Sequence, residues 1–193
     1  MADVALDRAR TAVLCLDVQN FTTAHLPAEV KEPLFASIRA TLDGVRKAQA
    51  SIIYVVAARR PEFTSPRNKF LATRNPPAST PEAAAQRVRI VDAVAPIGDE
   101  PVVGKPRMSA FYGSELQSLL IARDIDTVAL MGVATNFVVE STARSAVDLD
   151  YRVIVLDDCC TSATLKDHER ALANMEPLAH IMGSKVFLSA LGR

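Results

Sequence analysis

The sequence predicts an α/β protein with a doubly wound, mostly parallel six-stranded sheet and helices on both faces. Three observations predict it. Short apolar runs of strand length alternate with stretches of helical period, which is how a parallel sheet with crossover helices is written. Apolar residues make up 49 % of the chain and charged residues 23 %, enough to cover such a sheet and still present a wettable surface. The length, 193 residues, suits one domain over 1–193.

The elements follow in order. Thr11 to Leu16 (TAVLCL) reads as a buried first strand ending at Asp17. Residues 28–49 read as a helix, with Val30, Leu34, Ile38, Leu42 and Val45 on one stripe. Ser51 to Val56 is the second strand. Residues 59–88 read as irregular, rich in proline and arginine. So long a connection is either a substrate lid, an oligomer contact or a plain surface loop. Pro101 to Gly104 is a short strand leading to Lys105, and 114–123 a helix with Ser114 as its cap. Thr127 to Gly132 is the next buried strand, Asn136 to Leu149 a helix and Arg152 to Leu156 another strand. A helix begins over Lys166 to Ala173, and Lys185 to Leu188 is expected to supply the last strand.

Composition narrows the function. The formal net charge is zero, which argues against non-specific binding to nucleic acid or to a membrane surface. No basic-plus-apolar N-terminal segment is visible, and no apolar run approaches a membrane span, so a cytoplasmic protein is expected. Cys15, Cys159 and Cys160 form no disulfide framework, and the reading is reduced thiols. His25, His168 and His180 are scattered, with no CxxC or HExxH pattern, so neither a metal site nor a cofactor is expected.

In a doubly wound sheet, ligands bind beyond the carboxyl ends of the strands where the strand order reverses. Asp17 ends the first strand, and Gly132-Val133-Ala134-Thr135-Asn136 ends the strand expected beside it. Lys105 at another strand end makes a charge pair with Asp17 conceivable, as a proton donor with its partner or as a structural ion pair. Thr135 and Asn136 are pocket residues or simple helix caps. Glu140 and Arg144 are four apart and read as a structural pair.

Four segments resemble the isochorismatase-like (cysteine hydrolase) family. They are Leu14-Cys15-Leu16-Asp17-Val18-Gln19-Asn20, Gly104-Lys105-Pro106-Arg107-Met108-Ser109-Ala110-Phe111, Gly132 through Arg144, and Val155-Leu156-Asp157-Asp158-Cys159-Cys160. The resemblance implies an Asp-Lys-Cys triad, with Asp17 and Lys105 matching the first two and Val138 standing where the cysteine belongs. Valine has no nucleophilic atom, so no thioester can form there. The nicotinamidase metal pattern is absent after the second strand, where Ala57-Ala58-Arg59-Arg60-Pro61 follow. Isochorismatases proper also lack the cysteine and hydrolyse a vinyl ether by acid catalysis.

The resemblance therefore implies a hydrolase of a small, anionic substrate that uses Asp17 as acid and Lys105 as its electrostatic partner. The alternatives are a silent member that binds a ligand or protein, or an amide hydrolase that uses water directly. The resemblance also implies a cis peptide around Val133 and Ala134. Substrate contacts are expected from Gln19, Phe111, Val133, Ala134, Thr135, Asn136 and, through a carboxylate contact, Arg59. A homodimer or larger homo-oligomer is expected.

Overall fold

The computed structural model describes residues 6–58 and 80–192. Its centre is one six-stranded sheet, every adjacent pair parallel. The strands are β1 (Thr11–Leu16), β2 (Ser51–Ala57), β3 (Val102–Lys105), β4 (Thr127–Val133), β5 (Arg152–Thr161) and β6 (His180–Met182). Their order is β3-β2-β1-β4-β5-β6. The chain thus runs outward from β1 through β2 to β3, then crosses to the other side of β1 for β4. The switch point expected between β1 and β4 is there.

The two central strands are buried along their whole length, which is why both read as unbroken apolar runs and not as alternating ones. Helix α2 (Ala28–Lys47), which follows the single turn α1 (Asn20–Thr23), buries Leu34, Ile38, Leu42 and Val45 from the stripe that the sequence marks out. After β2 come α3 (Pro81–Val88), α4 (Leu116–Ala122), α5 (Glu140–Asp148), α6 (Leu165–Met175) and α7 (Ser184–Leu191). Helices α2 and α7 touch each other and β5 on one side of the sheet, while α5 and α6 form a second such pair.

Three expectations need correction. Lys185 to Leu188 lies in α7, and the last strand is His180–Met182. Phe187, Ala190 and Leu191 are the buried apolar residues of α7, a spacing of three and four that belongs to a helix. The Asp158 carboxylate accepts from Ser184 N–H (2.8 Å) and Oγ (2.7 Å) and so holds its first turn. Second, 81–88 is helical, with the Thr80 hydroxyl accepting from Ala83 N–H and Pro81 in the first turn. Third, the helix expected from Asn136 begins as a π-helical turn, Thr135–Val139, and becomes α-helical only at Glu140. Residues 59–79, with Arg59, Arg60 and Arg67, lie outside the described residues.

Candidate active site

Strand register brings the site together. Leu16 pairs with Gly132, so the chain leaves β1 and β4 side by side, through Asp17 and Val133. A Cβ on Gly132 would lie 2.0 Å from the Leu16 carbonyl oxygen, and its φ of +143° is closed to L side chains. Only glycine permits this approach. Asp17 adopts φ +52°, a left-handed conformation that aspartate tolerates better than most residues. Its N–H donates to the Val55 carbonyl at 2.8 Å, which fixes the turn against β2.

Lys105 is the last residue of β3 and pairs with Ala57 of β2. Its ammonium lies 2.8 Å from Asp17 Oδ2 and donates to the Arg107 carbonyl, also at 2.8 Å. The exposure of the two side chains is 2 % and 9 %. The other carboxyl oxygen, Asp17 Oδ1, is buried with no hydrogen-bond partner among the described residues. Burial pushes the Asp17 pKa up to about 6, against the opposing pull of the Lys105 ammonium and, more weakly, of the Ala57 N–H.

Gln19, two residues on, is fully buried, and both ends of its amide are committed. Oε1 accepts from Ala57 N–H at 2.8 Å, and Nε2 donates to the Val88 carbonyl at 2.6 Å. Asn20 N–H reaches the Arg89 carbonyl and Val91 N–H the Val18 carbonyl, so the chain after α3 runs beside the turn that carries Asp17.

Beyond β4, the Val133–Ala134 peptide is cis. Val133, Thr135 and Val138 are buried; Ala134 and Asn136 are half-buried. Val138, at 1 % exposure, is part of the hydrophobic core. Thr135 Oγ1 lies 2.8 Å from Nδ1 of His168 on α6. Burial lowers the His168 pKa, which favours the neutral ring. Asn136 N–H donates to Ser162 Oγ, which in turn donates to Asn136 Oδ1. Neither partnership has a local signal in the sequence, because 33 and 26 residues separate the partners.

Phe111 lies in the loop that follows Lys105. Its ring stacks on Tyr151 with centroids 5.8 Å apart, and Tyr151 immediately precedes β5 at the amino end of the sheet. Asp17 is at the carboxyl end. The loop that carries Phe111 is tied to α5 through Ser109–Ser145 (2.8 Å) and Ala110 N–H to Thr142 Oγ1 (3.0 Å). Cys159 and Cys160 lie within β5, which runs on to Thr161, and all three cysteines are buried and unpaired. Burial pushes the Cys159 thiol up to about 12 and the other two well above the usual range. None of them is poised as a thiolate. Among the described residues, no group of three or more His, Cys, Asp or Glu side chains could hold a metal ion, and no helix is long and apolar enough to cross a membrane.

The chain is similar to known proteins. A family model described as the isochorismatase domain matches residues 11–186. The ureidoacrylate amidohydrolase RutB of Methylobacterium radiotolerans is 33 % identical over 98 % of this chain and 82 % of its own length. RutB of Stutzerimonas stutzeri is 30 % identical over 90 % of this chain and 79 % of its own. An isochorismatase family protein from Desulfovibrio vulgaris superposes with a TM-score of 0.80 at 26 % identity, covering 95 % of this chain and 99 % of that one.

Proposed function

Because the chain belongs to the isochorismatase family of hydrolases, we propose that it hydrolyses a small anionic molecule beside Asp17, with no covalent bond to the protein. Asp17 is the acid and Lys105 its electrostatic partner. One observation carries this reading: a buried carboxyl with one oxygen on an ammonium and the other without a hydrogen-bond partner among the described residues. The unpartnered oxygen is where a proton rests and from which it is given. An anionic group bound nearby raises the pKa of Asp17 further and keeps that proton in place.

The reaction that suits such an acid is hydrolysis of a vinyl ether. Asp17 Oδ1–H protonates the terminal carbon of the double bond, and the ether-bearing carbon becomes an oxocarbenium ion. Water adds to that carbon and returns its proton to Asp17. The hemiketal then breaks its bond to the leaving oxygen, giving a carbonyl compound and an alcohol. Val138 is read as standing at the position of the family's nucleophilic cysteine, and this route needs nothing from it. The turn from Val133 to Asn136 cradles the substrate's anionic group.

The names of the relatives favour a second reading, amide hydrolysis by water directly. There Asp17 must be ionised so as to take a proton from the water. The two readings have opposite pH dependence, so one profile separates them. Three buried, unpaired thiols suit the reducing cytoplasm, and we take the protein to act there as a homo-oligomer, which sedimentation of the purified protein tests.

The test is to assay purified protein against isochorismate, simple enol ethers and small ureido amides, with Asp17→Ala as control. The expected result is enol-ether turnover that falls by about a thousandfold in the variant. Activity that survives Asp17→Ala overturns the mechanism. Ligand-induced thermal stabilisation with no turnover of any compound makes the protein a binder instead.

A further inference from the structure

A titratable ring holds the first residue of the turn after β4. Thr135 Oγ1 lies 2.8 Å from His168 Nδ1, across 33 residues of chain. We propose that His168 is a positioning residue: as a neutral ring with its proton on Nε2, it accepts the Thr135 hydroxyl at Nδ1 and fixes the turn against α6, and it releases the turn when the ring takes up a second proton. The consequence for a substrate rests on the reading above that this turn cradles an anionic group.

The direction of this hydrogen bond follows from burial. Thr135 is fully buried, and among the described residues its hydroxyl has no hydrogen-bond partner other than His168. The hydroxyl must donate its proton to Nδ1 or leave it stranded in the interior, and a stranded buried donor is costly. Nδ1 accepts only while it carries no proton. Nε2 has no hydrogen-bond partner among the described residues, yet the half-buried ring does not seal it from water. The single ring proton therefore belongs on Nε2, where water accepts it. A charged ring has a proton on each nitrogen. Nδ1 then donates to Oγ1, and the Thr135 proton is left with no acceptor. Asn136 is held separately, by Ser162, so the grip on Thr135 belongs to His168.

Helix α6 packs on the π-helical turn, on α5 and on β5. The turn carries no titratable side chain. From β5, Asp157 favours a charged ring, as does Glu169 on α6 itself, while Asp158 is committed to Ser184. On α5, Glu140 pairs with Arg144 at 2.9 Å, and Asp148 is the last residue. On α6, Asp167 accepts from the Thr164 hydroxyl, and Lys166 and Arg170, two places either way from His168, point to other sides of the helix. Burial outweighs the two carboxylates and holds the His168 pKa below the usual histidine value. The turn is therefore held at neutral pH and released in acid. An anion in the cradle meets an ordered turn above the His168 midpoint and a loosened one below it.

The experiment is NMR of the purified protein with no substrate present. Long-range 1H–15N correlations of the His168 ring at about pH 7.5, assigned against His168→Asn, are expected to show the proton on Nε2. A ring protonated on Nδ1 overturns the proposal. Hydrogen exchange then reads the turn through the Phe137 and Val139 amides, which both donate to the Ala134 carbonyl, at 3.1 and 3.3 Å. His168→Leu is expected to cut their protection, corrected for the intrinsic rate, by at least about tenfold. His168→Asn, whose amide oxygen stands in for Nδ1 as acceptor, is expected to keep it within about threefold. Acidifying the wild type through the His168 midpoint is expected to cut protection as His168→Leu does, and His168→Asn to show no such loss. Wild-type protection in His168→Leu overturns the proposal, as does a loss in His168→Asn equal to that in His168→Leu, or an acid loss shared by wild type and His168→Asn. If His168→Leu does not fold, the ring tautomer and the acid titration decide. These measurements leave the acid role of Asp17 untouched, whereas activity surviving Asp17→Ala sinks that role without bearing on His168.

Discussion

The Lys105 ammonium lies 2.8 Å from Asp17 Oδ2 although the strands that carry the two residues are not neighbours. β2 stands between them, and two strand spacings separate β3 from β1 by about 10 Å. A lysine at the carboxyl end of β3 closes that gap with its full length over the end of β2. The pair is buried, so the low polarity around it sets its behaviour more than bulk solvent does.

Turnover by the acid route should fall as pH rises through about 6, because the protonated fraction of Asp17 then drops tenfold per unit. A pH–kcat/KM profile on an enol ether checks this. A rate that climbs through the same range points to Asp17 as a base and to amide chemistry.

Lys105→Met should raise the Asp17 midpoint above about 6, since the main force holding it down is removed. The folded-state pKa of Asp17 already exceeds its unfolded value, so its charge costs stability as pH climbs from about 4 to about 6. In the variant that loss continues to higher pH. Urea denaturation should therefore show greater destabilisation at pH 8 than at pH 5, with about 3 kcal/mol at the high end.

The thiols should be chemically silent. Ellman's reagent should find no fast-reacting cysteine in the native protein and three after denaturation, because all three are buried and their pKa values are pushed up. Incubation with iodoacetamide should leave turnover unchanged.

Gly132→Ala should abolish stable folding or cost at least about 3 kcal/mol, because the added methyl meets the Leu16 carbonyl of the paired strand and the backbone is in a region closed to alanine. Soluble yield and the thermal midpoint check it.

Thr135→Val should cost about 1–2 kcal/mol by leaving His168 Nδ1 without its buried hydroxyl partner. Thermal denaturation checks it, and His168→Ala in the same background should add little.

The sheet was largely legible in the sequence because fully buried parallel strands read as continuous apolar runs, and β1, β2 and β4 begin where those runs begin. Asp17 and the turn after β4 were legible as well, since each ends a strand on the side where a doubly wound sheet opens, whereas Lys105 was reached through the resemblance of its segment to the family. The last strand was not. Lys185 to Leu188 has the composition of a strand, but the fold places it in α7, where the Asp158 carboxylate, 26 residues away, accepts from Ser184 N–H and Oγ. The stacking of Phe111 on Tyr151 and the two hydrogen bonds of the Gln19 amide were not legible, for the same reason. Proximity in sequence to a site says nothing about where a ring stacks or which backbone groups an amide holds. Local periodicity and strand endings belong to the chain itself, because they follow from how each residue meets solvent. Which distant donors and acceptors meet in the interior is decided only when the sheet closes, because a buried polar group is satisfied by whatever the fold brings to it.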